Sequence, residues 1–506
     1  MKQESPSAQR LTKAKRSRWW LAVKLILAFV AILATARLVL GWYAEHQLQA
    51  RLDSIAACGE SLQWRDLARP PVPDDQNAAL AYKRAADALP FPADCASPPH
   101  EQAHANTLFA DLDHAVADDQ YRQTHPREVS AALDATAKSL RLARDARRLS
   151  SADWGIDFQF PGPLHEVPVP NLAQYQLLAR VLYLAAMDAH GNGDDAEAIQ
   201  CVLDILALAT AVGDMPFFYA FDRAAAISSM ACAAVERLAP QLNIGSRAAA
   251  SRQQVQCLIA GLLDDEADGK AFVRAARGER CIAHDLFGRL RSGGQVSPHV
   301  ATQTPWLARV GLLQPICDLD DARVLDLHTM MINSPPSDFP AGMAMIEPHG
   351  RPWLPGFIID EHTDGLSPDD YRHILRTRFK GMALRRMAAT ALAMRMYQLD
   401  SGNLPADLGQ LAPRYLPAIP LDPFCRVYDS SGPEGMARQG PIGYKATPSP
   451  LLYCVGEDGR DDGGTHTLKD GRVQDFLSPD MVHFLDRDHV RNSSATPPRV
   501  RALEKM

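Results

Sequence analysis

The run 171-NLAQYQLLARVLYLAAMDAHGNGDDAEAIQCVLDILALATAVG-213 decides how the rest of the chain is read. Its leucines, valines, isoleucines and alanines recur at three- and four-residue intervals on both sides of HGNGDD, the spacing that lays an apolar stripe along an α-helix. Gly191 or Gly193 can end the first helix, because glycine takes a left-handed backbone at no steric cost. Asp194 can cap the second by accepting a first-turn N–H. Two antiparallel helices joined by a glycine turn are therefore predicted. Outward from them, helical patterning resumes at 247–291 and breaks at RSGGQVSPH. On the amino-terminal side AALAYKRAADAL is amphipathic, and polar helical stretches reach about residue 150. The segment SADWGIDFQFPGPLHEVPVPN, residues 151–171, carries too many prolines and aromatics for a long helix, so it reads as an ordered loop packed on helices. Residues 333–357 are proline-rich and read as an irregular connection.

The amino-terminal end has a different grammar. From Trp19 to Tyr43 only Lys24 and Arg37 are charged, both near the ends of the run, where they can snorkel. As a helix this stretch is about 37 Å long, enough to cross a bilayer. Trp19, Trp20, Trp42 and Tyr43 stand where interfacial aromatics belong, and Lys2, Arg10, Lys13, Lys15, Arg16 and Arg18 precede the span. The expectation is an uncleaved signal anchor with the amino terminus in the cytoplasm. The alternative is a cleaved signal peptide, since Ala34 and Ala36 form a small-x-small site. Apolar character resuming after Arg37 favours the anchor.

The net charge of −7 conceals an asymmetry: residues 1–50 hold eight Lys/Arg and two Glu, leaving about −13 on the remainder. An acidic body has no electrostatic reason to bind nucleic acid. The nine cysteines include no CxxC pair, against a zinc ribbon or thioredoxin-type site. Cys201, Cys232 and Cys257 fall in Ala/Leu-rich helical stretches and read as small core residues. The 171–213 hairpin resembles a tetratricopeptide unit, but no tandem period accompanies it, so a helical-hairpin array is expected, not a true repeat.

In LSPDDYRHILRTRFKGMALRRMAATALAMRMYQLDSG, Ser367 as cap, Pro368 and the acids Asp369 and Asp370 start a helix expected to reach Leu399 and stop at Gly402. Its RRMAATALAMRM portion reads as a core-facing Met/Ala/Leu stripe with a solvated opposite face. There follow GNLPADLGQLAPRYLPAIPLDPFCRVYD and IGYKATPSPLLYCVGEDGRDDGG. A long helix ending Y-x-L-D-x-G-x-L-P, then YLPxIPxDPF, then LYxVGxDGxxxGG, resembles the globular end of the major pseudopilin of type II secretion over residues 367–465. The resemblance implies a long helix on a small antiparallel sheet, with calcium in the loop after the last strands. Asp458, Asp461 and Asp462 match that loop and are the implied ligands. A solvated acidic turn is the other reading, because Asp and Gly favour turns with or without metal. Cys425 and Cys454 occupy family positions that usually hold other small residues, and a disulfide between them is an expectation. The family's amino-terminal processing site is missing and the matching helix is internal, so fibre assembly does not carry over. The body with this ending also resembles large single-pass bacterial envelope proteins, which brings no activity with it.

Enzymatic signals are few. His100, Glu101 and His104 in PPHEQAH match a zincin pattern, in which i and i+4 imidazoles hold zinc and the glutamate activates water, and His114 offers a third ligand. Pro98 and Pro99 directly before His100, and a polar setting, weigh against a built zinc site. Asp360, Glu361, His362 and Asp364 in IIDEHTDG read as a charged turn. There is no Walker loop, GxGxxG or GxSxG elbow.

The expected fold is mainly α. It comprises a basic cytoplasmic tail (1–18), a transmembrane signal anchor (19–43) and an extracytoplasmic helical-hairpin domain (44–357). A small α+β pseudopilin-like module (358–486) and a flexible tail (487–506) complete it. The expected function is a non-catalytic envelope scaffold or binding protein of the bacterial inner membrane with envelope protein partners and no nucleic acid. The alternative is a zinc-dependent hydrolase built on His100 and His104.

Overall fold

A computed structural model describes residues 6–60, 62–90, 119–245, 249–292, 314–347, 368–428, 437–446, 450–465, 468–469, 472–473 and 480–485. The architecture is mainly helical with small antiparallel sheets at the carboxy-terminal end. Helix α1 (Pro6–Ala57) is continuous and leads to a 3₁₀ turn at Trp64–Leu67. Helices α2 (Ala78–Asp87), α3 (Asp119–Thr124) and α4 (Pro126–Ala146) follow. The hairpin helices are α5 (Leu172–Gly191) and α6 (Asp195–Gly213). Asn171 accepts the Ala173 N–H at 3.2 Å, Gly193 takes φ +81°, and Asp194 accepts the Glu197 N–H at 3.0 Å. The turn is built as its residues dictate.

Next come α7 (Phe218–Leu238), α8 (Arg252–Leu262), α9 (Asp265–Ser292), α10 (Gln314–Asn333), α11 (Phe339–Ile346) and α12 (Pro368–Ser401). Helix α11 corrects the reading of 333–357 as wholly irregular: Asp338 accepts the Ala341 N–H at 2.8 Å and Pro340 sits in the first turn, a start signal short enough to be hidden among prolines. Helix α12 ends before Gly402 at φ +83°. The loop at 151–171 is pinned to helices as its aromatics suggest. Trp154 Nε1 donates to Ala211 O at 2.8 Å, and Trp64 Nε1 donates to Asp157 O at 3.0 Å while its ring meets Phe158 and Phe217.

Strands β1 (Leu421–Tyr428) and β2 (Ala437–Pro441) pair antiparallel. Strands β3 (Gly443–Lys445), β4 (Leu451–Val455) and β7 (Asp480–Phe484) form a sheet in the order β3-β4-β7, and β5 (Leu468–Lys469) pairs with β6 (Arg472–Val473). Helix α12 packs on α7 and α8 on one side and touches β1 and β4 on the other. One buried cluster consequently runs from Trp64 through the hairpin helices and α12 to Val455, and the core does not divide at residue 357.

This central position overturns two expectations. The arginines of the RRMAATALAMRM portion do not form a solvated face: Arg386 and Arg395 are half-buried, and Arg378, two turns earlier, and Arg385 are 5% and 9% exposed. Arg378 and Arg385 bind Asp268 of α9, at 3.2 and 3.0 Å, Arg386 binds Asp265 at 2.7 Å, and Arg378 lies 4.4 Å over the Phe272 ring. Partners from a helix more than 100 residues earlier in the chain make burial of these charges tolerable. Cys257, expected in the core, is exposed, whereas Cys201 and Cys232 are buried. It lies on the outer side of α8, whose Val255, Leu258, Ile259 and Leu262 face inward.

Closest approach of α9 to the α6–α7 link fixes one glycine. A Cβ on Gly278 would lie 1.8 Å from Pro216 O. Gly278→Ala is expected to cost about 3 kcal/mol by overpacking, read as a lowered denaturation midpoint. An unchanged midpoint would show that the two backbones can separate freely.

Candidate functional site

The acidic loop between β4 and β7 is where sequence placed its metal ligands. Gly459, Gly463 and Gly464 all take positive φ, at 67°, 69° and 75°, which lets the chain fold back twice within a few residues. Three of its four acids are then engaged separately by their side chains. Glu457 pairs with Arg376 of α12. Asp458 Oδ1 accepts the Arg460 N–H at 3.1 Å, and Asp461 Oδ1 accepts the Gly463 N–H at 2.9 Å. Thr465 Oγ1 donates to the Asp462 carbonyl at 2.6 Å. Asp458, Asp461 and Asp462 are all exposed. Among the described residues, no three His, Cys, Asp or Glu side chains stand together as a metal-holding group.

Sequence reasoning missed two carboxylates that matter more to this region. Asp480, the first residue of β7, is fully buried; its Oδ2 accepts the N–H of Gly464 at 2.8 Å and of Thr465 at 3.2 Å. Its Oδ1 is buried without a hydrogen-bond partner, and burial raises the carboxyl above its ordinary range. Asp422 of β1 is 1% exposed. Its Oδ1 accepts the Phe424 N–H at 2.8 Å and its Oδ2 the Val455 N–H at 2.7 Å, tying the start of β1 to the end of β4. Burial pushes it up to about 6, against the pull of those N–H groups. The signal was present: an Asp before Pro-Phe at a strand start is a residue free to bond backbone two positions on.

Cys425 and Cys454 are both free thiols, Cys425 half-buried and Cys454 buried beside Asp422, to which its thiol is hydrogen-bonded. Both thiols are pushed up, by burial first and then by the Asp422 charge. His100, Glu101, His104 and His114 lie outside the described residues, as do Asp360, Glu361, His362 and Asp364.

A second group of titratable side chains sits where α7, α9, α10 and α12 meet. Glu279 accepts the Phe218 N–H at 2.9 Å and is pushed up to about 7 by burial. His328, wholly buried and lowered to about 4 by desolvation, donates from Nδ1 to Val324 O at 2.9 Å. That leaves Nε2 facing the Tyr371 hydroxyl at 3.5 Å, a long contact. The Phe218 ring stacks on the imidazole, and Tyr371 meets it edge-on. With aromatic rings on both sides of the imidazole, the arrangement joins four helices.

At the amino-terminal end, α1 changes character along its length. Every large apolar side chain from Trp19 to Tyr43 other than Val23 is strongly exposed, whereas Ala44, Leu48 and Ile55 are buried. The Trp19–Ala57 portion contains a window apolar enough to cross a membrane, with none of it buried. Helix α6 passes the same test of length and composition, but most of it is buried as a core helix of the hairpin. The chain matches no model of a known protein family, no curated protein and no solved structure.

Proposed function

We propose that this chain is a non-catalytic scaffold or binding protein of the bacterial cell envelope. A single pass through the inner membrane anchors it, with the amino terminus in the cytoplasm and the body outside. One observation carries the reading: α1 exposes its apolar residues up to Tyr43 and buries its inward face from Ala44 onward. An exposed apolar cylinder of about 37 Å is costly in water and comfortable in a bilayer. Cleavage after Ala36 would leave Leu38, Val39, Trp42 and Tyr43, which are 73, 61, 69 and 47% exposed, on the surface of a soluble product. The basic residues before Trp19 support the orientation.

The carboxy-terminal part supports a secretion-associated, pseudopilin-like reading through its layout, a long helix laid on strands β1 and β4. Its helix packs on the molecule's own α7 and α8 as well, which does not favour burial of that helix in a fibre. The test is fractionation with protease digestion of spheroplasts. The body should stay with membranes, need detergent for release, and be digested from outside. Release of an intact chain without detergent would end the envelope reading. Crosslinking in membranes that recovers no envelope protein would end the scaffold role.

Calcium is the cofactor this reading brings. In its favour stands the unpartnered Asp480 Oδ1 beneath the loop that carries Asp458, Asp461 and Asp462. Asp458, Asp461 and Asp462 would have to turn toward Asp480 to hold the ion, since no three of these carboxylates stand together without it. Calcium at 100 times its dissociation constant is expected to stabilise the chain by about 2.7 kcal/mol, and Asp480→Asn to abolish the effect. Identical melting with calcium and with chelator would leave a plain acidic turn.

A further inference from the structure

We infer that the body rests directly on the membrane surface, with the first turn of α10 set in the phospholipid headgroup layer. This builds on the anchoring reading and adds the face that meets the lipid. The membrane helix does not end in a flexible stalk. Helix α1 runs unbroken through Gly41, and from Arg37 to Ile55 its less exposed residues are Arg37, Gly41, Ala44, Gln47, Leu48, Arg51, Leu52 and Ile55, which keep to the one-sided spacing of a helix–helix seam. The partner in that seam is α10: Leu48 and Ile55 share a buried cluster with Ala322 and Leu325.

Two contacts fix the direction. Pro315 Cγ lies 3.8 Å from the position of a Cβ on Gly41, and Arg51 Nε bonds Asp326 Oδ2 at 3.2 Å. Ten residues along α1 therefore match eleven along α10, so the two helices rise from the membrane in parallel, about 15 Å over that interval. Helix α9 returns antiparallel beside α10, since Arg291 bonds Asp318 at 3.2 Å while Arg280 lies by Thr329. The exit of α1, the start of α10 and the end of α9 thus share one end of the molecule. Gly41 lies beside Trp42 and Tyr43, whose exposed rings mark the headgroup level. Pro315 is at the same height.

Charge does not select that end for lipid: Arg291 is shared between Asp318 and Asp321, at 3.2 and 2.7 Å, and Asp320 lies 4.0 Å from Arg323, so the placement rests on the helix geometry alone. The rigid seam then sets the height of the body, as a hinged linker would not.

The full chain in lipid nanodiscs tests this, with a fluorescent amino acid placed singly at Val30, Tyr43, Gln314 or Met330, and nitroxide lipids as quenchers. A headgroup nitroxide should quench the probe at Gln314 as strongly as at Tyr43, and leave Met330, sixteen residues further along α10, unquenched. Quenching at Tyr43 with Gln314 no more affected than Met330 would overturn the inference while leaving the anchor intact. Shielding of Gln314 from soluble iodide without lipid quenching would also overturn it, in favour of a protein on that face. Absence of acyl-chain quenching at Val30 would remove the anchor, and the inference with it.

Discussion

A fragment of residues 63–506 is expected to be less stable than one of residues 41–506 by about 6 kcal/mol, with a correspondingly lower denaturant midpoint. The extra residues look like a tether in sequence, but they fill the groove on α10. Leu48 and Ile55 are buried there, each worth about 1.5–3 kcal/mol, and Leu52 packs beside them. Glu60 supplies the rest. Its carboxylate binds Arg277 at 2.7 Å and Arg280 at 2.8 Å, and Arg280 is wholly buried. Removing the carboxylate from a buried guanidinium costs about 3 kcal/mol or more. Domain stabilities run at about 5–15 kcal/mol, so the shorter fragment would be near collapse.

Glu60→Ala in the longer fragment isolates the ionic part, and its pH dependence has a definite sign. Burial raises the Glu60 carboxyl, but hydrogen bonds and charge from the two arginines outweigh it and leave a lowered pKa. The Glu60 contribution is therefore complete above the unfolded carboxyl's ordinary value of 4.5 and fades as pH falls through the lowered one. Wild type and variant should differ most near neutrality and converge in acid. Equal midpoints for the two fragments would mean that α1 only leans on the body.

The contrast between α1 and α12 shows what a linear sequence can convey. The α5–α6 hairpin and the carboxy-terminal end of α12 were legible because caps and left-handed glycines act within a few residues of themselves: Asp194 on Glu197, Gly193 and Gly402 on their own backbones. Ser367, the expected cap of α12, lies outside the described residues. The docking stripe Ala44, Leu48, Leu52, Ile55 was also in plain view, but nothing in it names α10 as the partner. The arginines of α12 were misread for the same reason, since their solvation depends on Asp265 and Asp268. At the acidic loop, proximity in sequence invited a shared metal. In the fold, the turn's own N–H groups bind Asp458 and Asp461, and Arg376 binds Glu457. Asp480, which binds the loop at Gly464 and Thr465, is brought there by strand pairing with Val455.

Asp422→Ala should cost about 4 kcal/mol, because it strands two buried backbone donors at roughly 1–3 kcal/mol each. The N–H groups of Phe424 and Val455 have that carboxylate as their acceptor, and Phe424 and Val455 are 2% and 3% exposed. Asp422→Asn removes the charge and also one of the two acceptors, turning an NH2 toward the other N–H, so the size of its effect mixes the two and only its pH dependence reports the charge. Folded Asp422 sits at about 6 against an ordinary 3.8, so between those values the folded state holds the proton more firmly than the unfolded chain. Its contribution to stability must therefore fall as pH rises from about 4 to about 6, by at most about 3 kcal/mol, and level off above. Asp204, also raised to about 6, and Glu279, raised to about 7, add slopes of the same sign. The informative quantity is accordingly the difference between wild type and Asp422→Asn across pH 4–7. It should shift in the variant's favour as pH rises. If the two curves stay parallel, the carboxylate is not desolvated in the folded state; if Asp422→Ala costs nothing, the strand ends are held by something other than this residue.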